Sequence, residues 1–142
     1  MPWIQLGRPH QLYVAEAADV ILYQSSKRNK GQSPWQPMKT FSGHHGDVCK
    51  FVIIDNQLVT CSMDNSVRTW NLQTSKCDGL YLGHASDIHS VDCFDDVIVT
   101  GSRDKTVKVL VTTFSRMKKN YMIDAVLLSG MLRRHQPKMI SF

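Results

Sequence analysis

The sequence lacks any stretch of about 18 apolar residues, the least that a membrane-crossing helix needs. Its most apolar segment, Tyr121 to Leu132, is short and is interrupted by Asp124. No membrane span is therefore expected. The first residues, Met1-Pro2-Trp3-Ile4-Gln5-Leu6-Gly7-Arg8, lack the apolar run behind a basic end that marks a secretory signal. An intracellular protein, cytoplasmic or nuclear, is the expectation. Cysteine is scarce. Cys49, Cys61, Cys77 and Cys93 form no Cys-x-x-Cys pair and no compact metal spacing. They are expected as buried free thiols in strands, and no metal or other cofactor is expected. Helical periodicity is also missing until after residue 115.

Charge of one sign is lacking over most of the chain. Residues 1–109 hold 11 Lys/Arg and 11 Asp/Glu, whereas residues 110–142 hold 6 Lys/Arg and only Asp124. The net charge of +5 thus sits in the last stretch. A neutral body with a basic tail makes a nucleic-acid partner an alternative and not the leading reading.

What is present is a repeat. Shifting residues 43–70 by 40 onto 83–110 needs no gap and gives nine identities in 28 positions: Gly43/Gly83, His44/His84, Asp47/Asp87, Asp55/Asp95, Val59/Val99, Thr60/Thr100, Ser62/Ser102, Asp64/Asp104 and Val67/Val107. Chance gives about one or two on ordinary residue frequencies. Val48/Ile88, Leu58/Ile98, Ser66/Thr106 and Arg68/Lys108 swap like for like. A weaker copy runs from Leu12 to Tyr23, with Tyr23 where Trp70 stands. Ser25 to Pro37, polar and holding Gly31, Pro34 and Pro37, reads as a long loop.

Each period reads as four short strands. Val48–Ile53, Leu58–Ser62, Val67–Trp70 and Cys77–Leu82 are rich in β-branched residues, and Asp55-Asn56 and Asp64-Asn65 supply the turns. The next period repeats this with Ile88–Cys93, Val97–Ser102 and Val107–Leu110, and Asp95-Asp96 takes the turn position. The fold class is all-β.

Four residue types recur at fixed places and can form one buried hydrogen-bond chain. The Trp70 indole can only donate, so burial demands an acceptor. Ser62 can accept from it and donate to His44, whose second ring nitrogen can donate to Asp64. Thr60, on the same strand face as Ser62, is a second candidate for the hydroxyl role. The next repeat offers His84, Ser102 and Asp104, with Leu110 in place of the tryptophan. Ser, His and Asp also make hydrolase triads, but a set that recurs once per repeat suits a structural device. Neither Ser62 nor Ser102 lies in a Gly-x-Ser-x-Gly elbow, so no catalytic residue is expected.

Gly-His at the start of a 40-residue period and Trp-Asn near its end resemble the WD-repeat β-propeller family. The resemblance implies a partial propeller of about two and a half four-stranded blades with a non-blade C-terminal tail. Residues 1–38 would be a partial first blade and loop, 39–82 a repeat, 83–110 an incomplete repeat, and 111–142 a basic tail. In that tail, apolar residues at 122, 125, 126, 128 and 132 fit a short helix. Too few blades are expected to close a ring, leaving the face with Val107, Val109 and Leu110 uncovered.

Met1 to Leu6, Leu12-Tyr13-Val14, Phe41-Ser42-Gly43-His44 and Ile98 to Asp104 further resemble the F-box/WD-repeat proteins. That resemblance implies a non-catalytic scaffold that recruits the protein substrate of a ubiquitin ligase. The family's F-box docks on a Skp-type adaptor. No Leu/Pro-rich helical module precedes Met1, and Ile123-Asp124 stand where the next Gly-His is due. A fragment without adaptor binding is expected. The alternatives are a WD scaffold of another pathway, and nucleic-acid or acidic-surface binding through the tail.

Overall fold

Alternation along Leu58-Val59-Thr60-Cys61-Ser62 sends Leu58, Thr60 and Ser62 to one side of a strand and Val59 and Cys61 to the other. All five are buried, so this strand lies in a sheet covered on both faces. The computed structural model, which describes residues 3–25, 31, 34–112 and 123–124, shows how. Its strands form three antiparallel four-stranded sheets.

The first sheet orders β1 (Ile4–Leu6), β2 (Gln11–Glu16), β3 (Asp19–Ser25) and β4 (Trp35–Phe41) side by side. The second orders β5 (Val48–Ile54), β6 (Gln57–Ser62), β7 (Val67–Asn71) and β8 (Cys77–Tyr81). The third is built from β9 (Ile88–Phe94), β10 (Val97–Ser102), β11 (Val107–Val111) and β12 (Ile123–Asp124). Hairpin turns bring single residues into a left-handed backbone. Asp55 and Asp95 have φ of 51° and 49° at the β5–β6 and β9–β10 turns. Asn65 and Lys105 have φ of 64° and 68° in the next turns.

Two differences from the sequence reading concern the first and third sheets. Trp35–Pro37 belong to β4 and not to the loop read across Ser25 to Pro37. Pro37 lacks an N–H, but β4 is an edge strand, where a missing donor is tolerated, and the register slips beside it between Leu22 and Tyr23. Within the segment read as a tail, Ile123 and Asp124 pair with Val109 and Lys108. The helix read across Tyr121 to Leu132 is a strand at those two residues and otherwise lies outside the described ones.

The sheets stack face to face, closest along their earlier strands, where β5 meets both β2 and β9. Between the first and second, Tyr13, Leu22 and Phe41 meet Phe51, Leu58 and Trp70. The Phe41 and Trp70 rings meet edge to face, 6.2 Å apart between centroids. Between the second and third, Val59, Cys61, Val67 and Tyr81 meet Ile88, Val91, Ile98 and Leu110. Each such side chain gains about 1.5–3 kcal/mol from full burial, so the two interfaces hold the sheets in place.

The outer faces of the first and third sheets are also apolar. Ile4 and Leu6 pair with Val14 and Leu12, which pair with Ile21 and Tyr23, so all six share the face turned from the second sheet. On the third sheet the corresponding face carries Phe94, Val97, Val99, Val107, Val109 and Val111, with Asp92 and Ser90 beside them on β9. Ile4, Leu6, Phe94, Val99 and Val107 are exposed. Leu110, placed by the sequence reading on this open face, points the other way and is buried, because it is one residue out of phase with Val109 and Val111.

Candidate functional site

The register of β6 against β7 places Leu58 opposite Trp70 and Thr60 opposite Arg68. The Trp70 indole therefore reaches along its own face toward Thr60, two residues or about 7 Å up the strand. Its Nε1–H donates to Thr60 Oγ1 at 2.9 Å. Thr60 Oγ1 lies 2.6 Å from His44 Nε2, and His44 Nδ1 lies 2.9 Å from Asp64 Oδ2. An ionised carboxylate only accepts, so His44 Nδ1 carries the proton. Nε2 of the neutral ring then accepts from the Thr60 hydroxyl. The chain runs from Trp70 to Thr60 to His44 to Asp64.

Ser62 is not in the line of donors that the sequence reading drew from Trp70 to His44. It stands four residues from Leu58, about 13 Å along β6, beyond the indole. Its hydroxyl instead donates to the Gly46 carbonyl at 2.8 Å and accepts from the Asp64 N–H at 3.1 Å, pinning the β6–β7 turn. Sequence reasoning missed Ser66. Its hydroxyl donates to Asp64 Oδ1 at 2.6 Å, and the Ser66/Thr106 swap in the repeat was the available signal.

The second copy has the same layout. His84 Nδ1 lies 2.8 Å from Asp104 Oδ2, and His84 Nε2 lies 2.8 Å from Thr100 Oγ1. Thr106 donates to Asp104 at 2.6 Å, and Ser102 to the carbonyls of Ser86 and Asp87. Leu110 replaces the indole and fills its space with aliphatic carbon alone.

The electrostatics follow the geometry. Burial pushes His44 below its ordinary value of 6.5, against the pull of Asp64. Burial would raise the Asp64 carboxyl, but hydrogen bonds from Ser66, the His45 N–H and His44 outweigh it and hold the group at about 2. Asp104 is likewise held far below the usual carboxylate range: hydrogen bonds from Thr106, Ala85 and His84 overcome the effect of burial.

His44, Thr60, Ser62 and Trp70 are 6%, 0%, 0% and 1% exposed. No substrate can reach the hydroxyls, so the Ser-His-Asp composition serves the fold at this site. The thiols are equally quiet. Burial pushes Cys61 and Cys93 up to about 12 and raises Cys49. Of the four thiols expected to be buried, only Cys61 is: Cys49 and Cys93 are half-buried, and Cys77 is exposed on β8.

Two clefts open between the sheets. One cleft of about 550 Å³ opens where Glu16, Ala17, Asp47, Cys49, Met63 and His89 converge at one end of the strands. At the opposite end, Gln5, Arg8, Gln24, Lys39, Asp55 and Gln73 help line a second cleft of about 510 Å³. There Lys39 Nζ donates to the carbonyls of Leu72 and Gln73, tying the first sheet to the second.

Three radially stacked four-stranded sheets, two of them locked by the same histidine–aspartate–hydroxyl network, define an arc of a β-propeller. Residues 35–71 and 75–109 match the family described as "WD domain, G-beta repeat", and the chain belongs to that family. It is 36% identical over 110 residues to F-box/WD repeat-containing protein 4 of Mus musculus, and equally so to that of Homo sapiens. Each alignment covers 77% of this chain and 26% of the relative, so the chain spans about a quarter of their length. Among solved structures, the WD40 β-propeller domain of Doa1 superposes with a TM-score of 0.66 at 21% identity, over 80% of this chain and 35% of that one.

The matched units are out of step with the sheets. Residues 35–71 comprise β4 of the first sheet with β5, β6 and β7 of the second, and residues 75–109 take β8 with most of the third. Each sequence repeat thus supplies the fourth strand of one sheet and the first three of the next.

Proposed function

We propose that this chain is part of the substrate-recruiting propeller of a ubiquitin ligase, a non-catalytic protein-binding platform inside the cell. The observation that carries it is the 36% identity to F-box/WD repeat-containing protein 4 across 77% of the chain. That span includes more than the shared repeat residues, since the two family matches end at residue 109 and begin at 35. The geometry agrees with a platform. The polar chemistry is consumed in bracing the sheets, while the clefts at the sheet ends stay open. The buried network has no route for a substrate, which supports a binding role over catalysis. The partner is a protein marked for ubiquitination, with an F-box elsewhere making the adaptor contact.

The test is immunoprecipitation, from its own cells, of the endogenous protein that carries this segment, with and without proteasome inhibition. Cullin and Skp-type adaptor should coprecipitate, and ubiquitinated partners should accumulate with the inhibitor. Recovery of partners with no ligase subunit would replace this reading with a scaffold of another pathway.

A further inference from the structure

Tyr13 is buried at 5% exposure, yet no described residue hydrogen-bonds its hydroxyl. A buried phenol normally has a partner. Its ring lies against Gly7, where an added Cβ would stand 2.7 Å from Tyr13 Cε2 and push the ring aside. The β1–β2 turn that follows is closed by the Gly7 N–H on the Gln11 carbonyl at 3.0 Å and the Gln11 N–H on the Arg8 carbonyl at 2.9 Å. This turn sets Arg8 beside the tyrosine. Burial raises the Tyr13 hydroxyl above its ordinary value of 10.0, and the Arg8 guanidinium pulls the other way, so the cation acts on the same oxygen. Both residues line the cleft of about 510 Å³ between the first and second sheets. Its two walls come from neighbouring sheets, so it needs no further blade to complete it.

Two cations line this cleft, and they differ. Lys39 is committed to the Leu72 and Gln73 carbonyls, which clamps one wall to the other. Arg8 forms no ion pair among the described residues. One guanidinium beside one phenol O–H makes a seat for a single negative charge, with donors from both groups. A phosphate ester carries about −1.5 to −2 and suits it less. Asp55 at the rim adds repulsion against the larger charge. Around the seat, Gln5, Gln11, Gln24 and Gln73 each offer an amide donor and acceptor, the two groups that a peptide backbone presents. Met38, Ile53 and Leu72 supply apolar lining for a side chain.

We propose that this cleft binds a short extended peptide of a partner protein by its carboxylate, held between Arg8 and Tyr13, with the glutamines along the peptide backbone. A chain terminus and an Asp or Glu side chain both present that group. The site stands whichever pathway the platform serves, so loss of the ligase contacts in cells does not bear on it.

The protein that carries this segment, purified whole and immobilised, is offered short random peptides in three libraries. One has free C-termini, one has amidated C-termini, and one is amidated and lacks Asp and Glu. Peptides that also bind the Tyr13→Phe protein are discarded, which leaves those that need the hydroxyl. Recovery from the first library alone assigns a chain terminus, and recovery from the second assigns a side chain; either supports the site. No recovery, recovery from the third library, or preference for phosphoserine in a parallel library overturns it. Arg8→Gln, on the exposed turn, should weaken the recovered peptides at least tenfold by fluorescence anisotropy, and unchanged affinity counts against the proposal as decisively. Tyr13→Phe should melt no lower than its parent, because the hydroxyl has no internal partner to lose. A marked fall in melting temperature would place that hydroxyl in the service of the fold and remove the site.

Discussion

Thr60 is the residue on which the second sheet turns. It accepts from Trp70 and donates to His44 through one oxygen, buried at 0% exposure. Thr60→Val keeps the shape and removes both bonds, leaving an indole N–H and an imidazole nitrogen unsatisfied. The expected loss is about 1–3 kcal/mol. Trp70→Phe should cost a comparable amount, and a double-mutant cycle by urea unfolding should show the two losses to be less than additive. Full additivity would mean that the two groups do not share one network. Acid acts on the same residues. An unfolded chain protonates His44 near 6.5 while the folded one resists, so that stability is whole above pH 6.5 and declines as pH falls below it. Asp64 adds a second decline, present above 3.8 and lost between 3.8 and about 2. Melting temperature measured from pH 7 to 2 should fall in these two stages, and Asp64→Asn should flatten the lower one. The members of this network were legible in the 40-residue period. The choice of Thr60 over Ser62 was not, because both hydroxyls lie on one strand face and only the pairing of Leu58 with Trp70 decides which the indole meets.

At the level of strands and turns, β-branched runs broken by Asp-Asn and Asp-Asp pairs located most strands to within one or two residues. β4 escaped because Pro34 and Pro37 speak for a loop, and only a view of the whole sheet reveals that this strand has a free edge. The β6–β7 and β10–β11 turns show how local fitness differs between otherwise equal copies. Asn65 and Lys105 occupy the same left-handed position, at φ of 64° and 68°. Asparagine is at ease there, and lysine is strained by its Cβ. Lys105→Asn should stabilise the chain by about 0.5 kcal/mol, part of the usual left-handed cost. Denaturant unfolding would detect it as a higher midpoint at unchanged slope, and a lower midpoint would show that the Lys105 side chain has a compensating role.

For the molecule as a whole, the sheet and not the repeat is the unit that buries a core. A polypeptide of residues 35–109 contains both family matches in full. It nevertheless loses Tyr13, Ala15, Val20 and Leu22, the side of the first interface that covers Phe41 and Trp70. It should lack a cooperative melt by circular dichroism, whereas residues 1–112 should keep one. Equal cooperativity in both would show that the first sheet adds little. The half-step between repeat and sheet also bears on how such a chain changes over generations. Duplicating or deleting 40 residues that begin between positions 43 and 70 preserves the phase at the junction, because residues 43–70 and 83–110 align without a gap. An insertion of another size, placed in a turn, is absorbed as a longer loop, but an odd-numbered one placed within a strand turns the rest of that strand's side chains to the wrong face. Gene-level tinkering with this molecule is therefore tolerated in whole periods or at turns, and selection against everything between is written into its hydrogen bonds.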